Sequence, residues 1–154
     1  MGIQVRLLIR DAVSCPRKLR HCCRGGAHWI SLQKADDPAK QLPSGYRASV
    51  VDWMEEIQDF ADTAALIGGL YLVVSVDTSV AHLAAAMGQP VWLLNRFAGC
   101  WRWLRDRDDS PWYRGLLLFT QRELGNWDEV LTRVRGELER RYQVGAATLD
   151  ALNR

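Results

Sequence analysis

The stretch YLVVSVDTSVAHLAAAMGQPVWLL, residues 71–94, decides the fold. Residues 71–76 are rich in β-branched and aromatic side chains and apolar on both faces, the pattern of a strand buried within a parallel sheet. Asp77, Thr78 and Ser79 follow. All three are favoured at helix starts, where short polar side chains accept from the free N–H groups of the first turn. An apolar helix is then expected over residues 80–87, stopped by Gly88, and Pro90 opens a second buried strand over 91–94. Strand, cap cluster, helix, glycine, proline and strand in one short run make a βαβ unit with short loops.

Working outward, residues 59–69 read as a helix, with Asp59 or Asp62 as its cap and the pair Gly68–Gly69 as its stop. Residues 3–9 (IQVRLLI), 28–32 (HWISL) and 48–52 (ASVVD) have the character of short strands. Between them, residues 11–26 read as irregular, and the polar tract 33–45 is broken by Pro38 and Pro43. Residues 95–115 form a long connection rich in Trp and Arg, too long to be only a linker. Residues 116–119 (LLLF) read as a further strand. Asn126 or Asp128 caps a final helix over 127–142, where Val130, Val134, Leu138 and Tyr142 share one stripe. Helices alternating with short buried strands imply an α/β fold built on a parallel sheet.

The chain has 154 residues, of which 48% are hydrophobic and 25% charged, ordinary proportions for one globular domain. The longest apolar run, residues 70–76, falls far short of the roughly 18 residues that span a bilayer. The formal net charge of +2 is unevenly spread: residues 1–26 carry +5 and residues 27–154 carry −3. Such a near-neutral body lacks the concentrated basic footprint that nucleic acid requires, so no nucleic-acid partner is expected. Cys15, Cys22 and Cys23 lie near His21, but no second pair with zinc-ligand spacing follows, and Cys100 is isolated. Reduced thiols, a cytoplasmic location, and neither metal nor cofactor are the corresponding expectations. Arg6 and Arg10 interrupt the only apolar stretch that might have served as a signal peptide.

In open parallel sheets ligands bind beyond the C-terminal ends of the strands. Here that edge is SVDTSVAH, residues 75–82. The first turn of the helix that follows offers unpaired N–H groups and a positive dipole end, suited to a phosphate or diphosphate, and Thr78 and Ser79 add hydroxyls. The same Asp-Thr-Ser turn is also an adequate helix start without any ligand. Asp77 would repel a phosphate, so it is better placed to bond sugar hydroxyls or to cap its own helix. His82 lies one turn into the helix, either reaching the same pocket or merely packing. Ser75 or Ser79 with His82 lacks the G-x-S-x-G elbow of a hydrolase, and no P-loop or G-x-G-x-x-G run is present. Lys34 follows a candidate strand, where its ammonium would either neutralise a phosphate or stand at the surface. Trp101 and Trp103, with Arg96 or Arg102, would either stack on and hold a ligand or pin the long connection to the sheet.

The run DFADTAALIGGLYLVVSVDTSVAHLAAAMGQPVWLLNRF, residues 59–97, resembles the C-terminal donor-binding domain of glycosyltransferase family nine, the heptosyltransferase-like enzymes. WISLQK (29–34), WRWLRDRDDSPWY (101–113) and WDEV (127–130) extend the resemblance over residues 28–142, and the match looks like bacterial proteins in which such a domain follows tetratricopeptide repeats. The resemblance implies a Rossmann-like sheet, one C-terminal half of a GT-B architecture, and a nucleoside-diphosphate sugar as partner. It implies that Asp77, Thr78 and Ser79 meet the diphosphate and sugar of that donor, and that His82 corresponds to the family's helical histidine. Gln33 and Lys34 would supply polar and cationic contacts to the nucleotide. Ser79 stands where these enzymes often have glycine.

On this reading residues 1–27 are an atypical basic segment, residues 28–142 the nucleotide-sugar-binding domain, and residues 143–154 a tail. Enzymes of this architecture bind the acceptor in an N-terminal domain that also supplies the base. The expectation is therefore a truncated chain, half an enzyme, whose cleft a second domain or subunit would complete and whose catalytic residues are not identifiable here. The alternative is a non-catalytic Rossmann-like remnant that binds nucleotide or docks a protein.

Overall fold

The structure, a computed structural model of the chain, describes residues 5–7, 29–32, 50–53 and 55–142. Gln33 and Lys34, the irregular stretch 11–26, the polar tract 33–45, Cys15, Cys22, Cys23 and the tail 143–154 lie outside the described residues. The described residues form six strands: β1 (Val5–Leu7), β2 (Trp29–Ser31), β3 (Val50–Asp52), β4 (Leu72–Val76), β5 (Val91–Asn95) and β6 (Leu116–Thr120). The described residues also form three helices: α1 (Phe60–Gly68) before β4, α2 (Ser79–Ala86) between β4 and β5, and α3 (Trp127–Tyr142) after β6.

All strand pairings between these elements are parallel. One sheet has the order β1-β4-β5-β6, and β2 pairs with β3. β2 lies beside β1, so the strands succeed one another as β3-β2-β1-β4-β5-β6. This is the doubly wound, Rossmann-like order, with its switch point between β1 and β4. The α/β fold with a parallel sheet expected from residues 71–94 is the one observed.

The two faces of the sheet follow from the period-two alternation of strand side chains. Leu72, Val74 and Val76 point to one side with Trp92, Leu94 and Phe119, where Val130, Leu131, Val134 and Leu138 of α3 cover them. Val73 and Leu93 point to the other side, with Leu116 and Leu118, and meet Ile67 of α1, the small face Ala81–Ala84–Ala85 of α2, and Trp103. Every residue of β4 and β5 is buried, which explains why both are apolar on both faces apart from Ser75 and Asn95. Full burial of one leucine or valine here contributes roughly 1.5–3 kcal/mol. Leu131 widens the predicted stripe of α3 to a second row.

Local signals set the helix limits. Asp59 is the cap of α1: its Oδ1 accepts from the N–H groups of Ala61 (2.7 Å) and Asp62 (3.0 Å). The N–H of Gln58 in turn donates to Asp62 Oδ2 at 3.0 Å. Asn126 opens α3, its Oδ1 accepting from the N–H of Glu129 at 3.3 Å. Asp128 and Glu129 in the first turn and Arg140 and Arg141 in the last complement the dipole of that helix. α2 ends in a Schellman turn, in which the N–H of Gly88 donates to the carbonyl of Ala85 and that of Gln89 to the carbonyl of Ala84. Gly88 sits at φ 79°, a left-handed conformation that other residues adopt at a cost. Pro90 then leads into β5.

Candidate functional site

The C-terminal end of β4 delivers Asp77 and Thr78 directly into the first turn of α2. Ser75, fully buried on the last turn of the strand, donates its single hydroxyl proton to the carbonyl of Val76 at 2.9 Å. The Thr78 hydroxyl, 3.1 Å away, therefore donates to Ser75 Oγ. Thr78, although it is the cap residue of α2, makes no side-chain hydrogen bond to the helix N-terminus. Asp77 does not cap the helix either. Ser79 is exposed.

Asp77 turns toward His82 instead. His82 lies five residues on, a little over one turn into α2, and its Nε2 is 3.2 Å from Asp77 Oδ1. The other ring nitrogen, Nδ1, is 3.1 Å from the Tyr113 hydroxyl. Tyr113 belongs to the long connection between β5 and β6, 31 positions away in sequence. The imidazole also stacks on Trp103 of the same connection, with ring centroids 5.2 Å apart. The guanidinium of Arg102 stands 3.9 Å from Asp77 Oδ2, outside hydrogen-bonding range, and 5.9 Å above the Trp101 ring. Asp77 and His82 are each about one-third exposed, 27% and 30%, so a solute can reach both.

The connection that supplies Tyr113, Trp103 and Arg102 is tied down along its length. Residues Trp101–Trp103 form a single 3-10 turn. Leu104 follows at φ 57° and ψ −179°, a backbone conformation rarely held by a branched side chain. The Trp112 indole N–H donates to the carbonyl of Arg102 at 2.8 Å. Asp109 bridges to Leu117 on β6 and takes a two-pronged ion pair from Arg107, which holds the Asp109 carboxyl below its ordinary pKa. Of the tryptophans in this connection, Trp103 is fully buried whereas Trp101 and Trp112 are exposed. Trp103 thus pins the connection to the core, and Trp101 remains open to solvent.

Asp77, Thr78 and His82 therefore gather at one strand end, with Ser79 next to them in the chain. Tyr113 was missed by sequence reasoning, since no local periodicity links it to His82. Among the described residues, no three His, Cys, Asp or Glu side chains converge as a metal site, and no helix is long and apolar enough to cross a membrane.

Comparison with known proteins bears on the same segment. The model of glycosyltransferase family 9 (heptosyltransferase) matches residues 34–94, which contain α1, β4 and α2 and end within β5. Protein FlbA of Caulobacter vibrioides is 31% identical over 114 residues, covering 71% of this chain but 19% of FlbA. The chain thus spans less than a fifth of that curated relative. No solved structure matches the chain. The stretch that carries Asp77, Thr78, Ser79 and His82 is accordingly similar to glycosyltransferase family 9.

Proposed function

We propose that this chain is the nucleotide-sugar-binding portion of a glycosyltransferase that transfers a sugar from a nucleoside-diphosphate donor to an acceptor hydroxyl. The observation that carries this reading is the partly exposed Asp77–His82 pair between the end of β4 and the first turn of α2, inside the segment similar to family 9. In such a reaction the acceptor oxygen bonds to the anomeric carbon as the bond to the diphosphate oxygen breaks. The acceptor proton passes to a base supplied by a second domain or subunit of a GT-B cleft. Asp77 would accept hydrogen bonds from sugar hydroxyls. The first-turn N–H groups of α2, with the ammonium of Lys34, would stabilise the negative charge that develops on the leaving diphosphate. Gln33 would contribute a polar contact to the nucleotide, and Thr78, Ser79 and His82 would border the diphosphate. The proposal includes a cytoplasmic, bacterial protein related to those that carry tetratricopeptide repeats.

Isothermal titration of the chain with UDP, GDP and ADP tests this, beside the double variant Lys34→Ala/Asp77→Ala. One nucleotide is expected to bind with a dissociation constant between micromolar and millimolar, and to lose that binding in the variant. Absence of binding to a folded wild-type chain would overturn the donor reading. It would favour instead a Rossmann-like interaction module, a reading supported by the exposed rings of Phe97, Trp101 and Trp112.

A further inference from the structure

His82 is gripped at both ring nitrogens by groups of different hydrogen-bonding character. A carboxylate only accepts, so the contact between Nε2 and Asp77 Oδ1 at 3.2 Å requires the proton on Nε2. A neutral imidazole then has a lone pair on Nδ1, and the Tyr113 hydroxyl at 3.1 Å is the group that donates to it. The alternative tautomer would set the Nε2 lone pair against the carboxylate. The stack on Trp103 fixes the plane of the ring but not its sense. Turning the ring over within that plane would preserve the stack while placing carbons against Asp77 and Tyr113. The two hydrogen bonds, not the packing, therefore select the orientation.

We propose that Tyr113 is a positioning residue: by donating to Nδ1 it holds the His82 ring in the orientation in which Asp77 selects the Nε2–H tautomer, so that Asp77 Oδ1 is held by His82 and Oδ2 alone is presented to a ligand hydroxyl. Oδ2 suits that task because its nearest cation among the described residues, Arg102, stands too far away to donate a hydrogen bond to it. Tyr113 reaches the site from the β5–β6 connection, so the fold of that long segment controls how a strand-end carboxylate far from it in sequence is aimed. The lock is a property of the chain by itself. Its consequence for a sugar hydroxyl rests on the donor reading proposed above.

The test uses the full chain labelled with nitrogen-15 in its histidine rings, with His82→Gln to assign His82 apart from His21 and His28. Long-range proton–nitrogen correlation spectra of the wild type at mildly alkaline pH should show a single His82 tautomer protonated on Nε2. In Tyr113→Phe, which keeps the aromatic ring, the His82 Nδ1 resonance should move and a second tautomer should appear, with the thermal midpoint changed little. A purely packing role for Tyr113 would leave the nitrogen resonances in place. A wild-type proton on Nδ1, exchanging tautomers in the wild type, or an unchanged spectrum in the variant would overturn the proposal. The ligand arm titrates UDP, GDP and ADP against UDP-glucose, GDP-glucose and ADP-glucose. Tyr113→Phe should weaken a glucose conjugate by up to about tenfold, the range of one hydrogen bond, while leaving the bare nucleotide unaffected. Equal affinity of both proteins for the conjugate would overturn the claim about Oδ2. If no nucleotide binds the wild type, the donor reading fails while the nitrogen spectra still decide the role of Tyr113.

Discussion

The indole of Trp103 lies stacked against the imidazole of His82, the two ring planes inclined by 20°. Trp103 has none of its surface exposed and packs in the same cluster as Val73, Leu93 and Leu118. A partly exposed site residue thus rests directly on the hydrophobic core. Substitution Trp103→Ala is expected to cost about 3–5 kcal/mol in folding stability, the range for truncating a buried large aromatic residue. The Trp103 indole N–H has no partner among the described residues. Trp103→Phe removes that buried donor along with part of the ring, so its cost should be clearly smaller than that of the alanine variant. Urea unfolding at unchanged denaturant slope reports both values.

A second prediction concerns Gly99. A Cβ built there would sit 2.3 Å from Asn95 Oδ1 and 2.6 Å from Asn95 Nδ2. Asn95 is buried at the end of β5 and donates from Nδ2 to the Thr120 hydroxyl at 3.2 Å. Gly99→Ala should therefore displace that amide and cost roughly 1–3 kcal/mol, the range for overpacking with loss of a buried partner. The double variant Asn95→Ala/Gly99→Ala should be more stable than the sum of the single effects implies. Strict additivity in that cycle would show that the two positions do not press on each other.

Helix α1 depends on its cap. Asp59→Ala removes the acceptor for two backbone N–H groups and should destabilise the protein by about 1 kcal/mol, whereas Asp59→Asn should be close to neutral. Equal midpoints for the wild type and the alanine variant in chemical denaturation would contradict this assignment.

Acid sensitivity should be traceable to Glu137 on α3. Hydrogen bonding from Arg140 holds its carboxyl below the ordinary glutamate range against the opposing effect of burial, with Arg141 adding to the lowering. A carboxyl depressed in the folded state adds stability that is fully present above its unfolded pKa, about 4.3. That contribution disappears as pH falls from there through the lower folded value. Glu137→Gln should thus lower the urea midpoint slightly at neutral pH and leave it unchanged in strong acid. Added salt should shrink the difference, because both arginines are substantially exposed. A difference that persisted undiminished into strong acid would assign the effect to packing.

What sequence reading reached was the part governed by near neighbours. The strand–turn–helix–strand order of residues 71–94, a cap at Asp59 or Asp62 and the glycine stop of α2 depend on backbone conformations and hydrogen bonds spanning a few residues. The residue types at those positions carry that information directly. The helix at Trp127–Tyr142 was legible for the same reason, its apolar stripe repeating at helical spacing. Even at short range, the capping of α2 was not legible. Thr78 has the right chemistry to cap its helix, but its hydroxyl meets Ser75 and makes no bond to the helix N-terminus.

The sequence by itself therefore determined the α/β class, the parallel sheet and the edge at which Asp77, Thr78, Ser79 and His82 stand. Only the tertiary structure decided how those groups are used. Asp77 engages His82 rather than a helix terminus, and Tyr113 meets His82 across 31 positions. Trp103, indistinguishable from Trp101 in the sequence, becomes core while Trp101 faces solvent. The physical reason is that a hydrogen bond or a ring stack depends on where two side chains arrive in space. For residues on different elements, that position is set by the packing of the whole sheet and its connections, which no local pattern encodes.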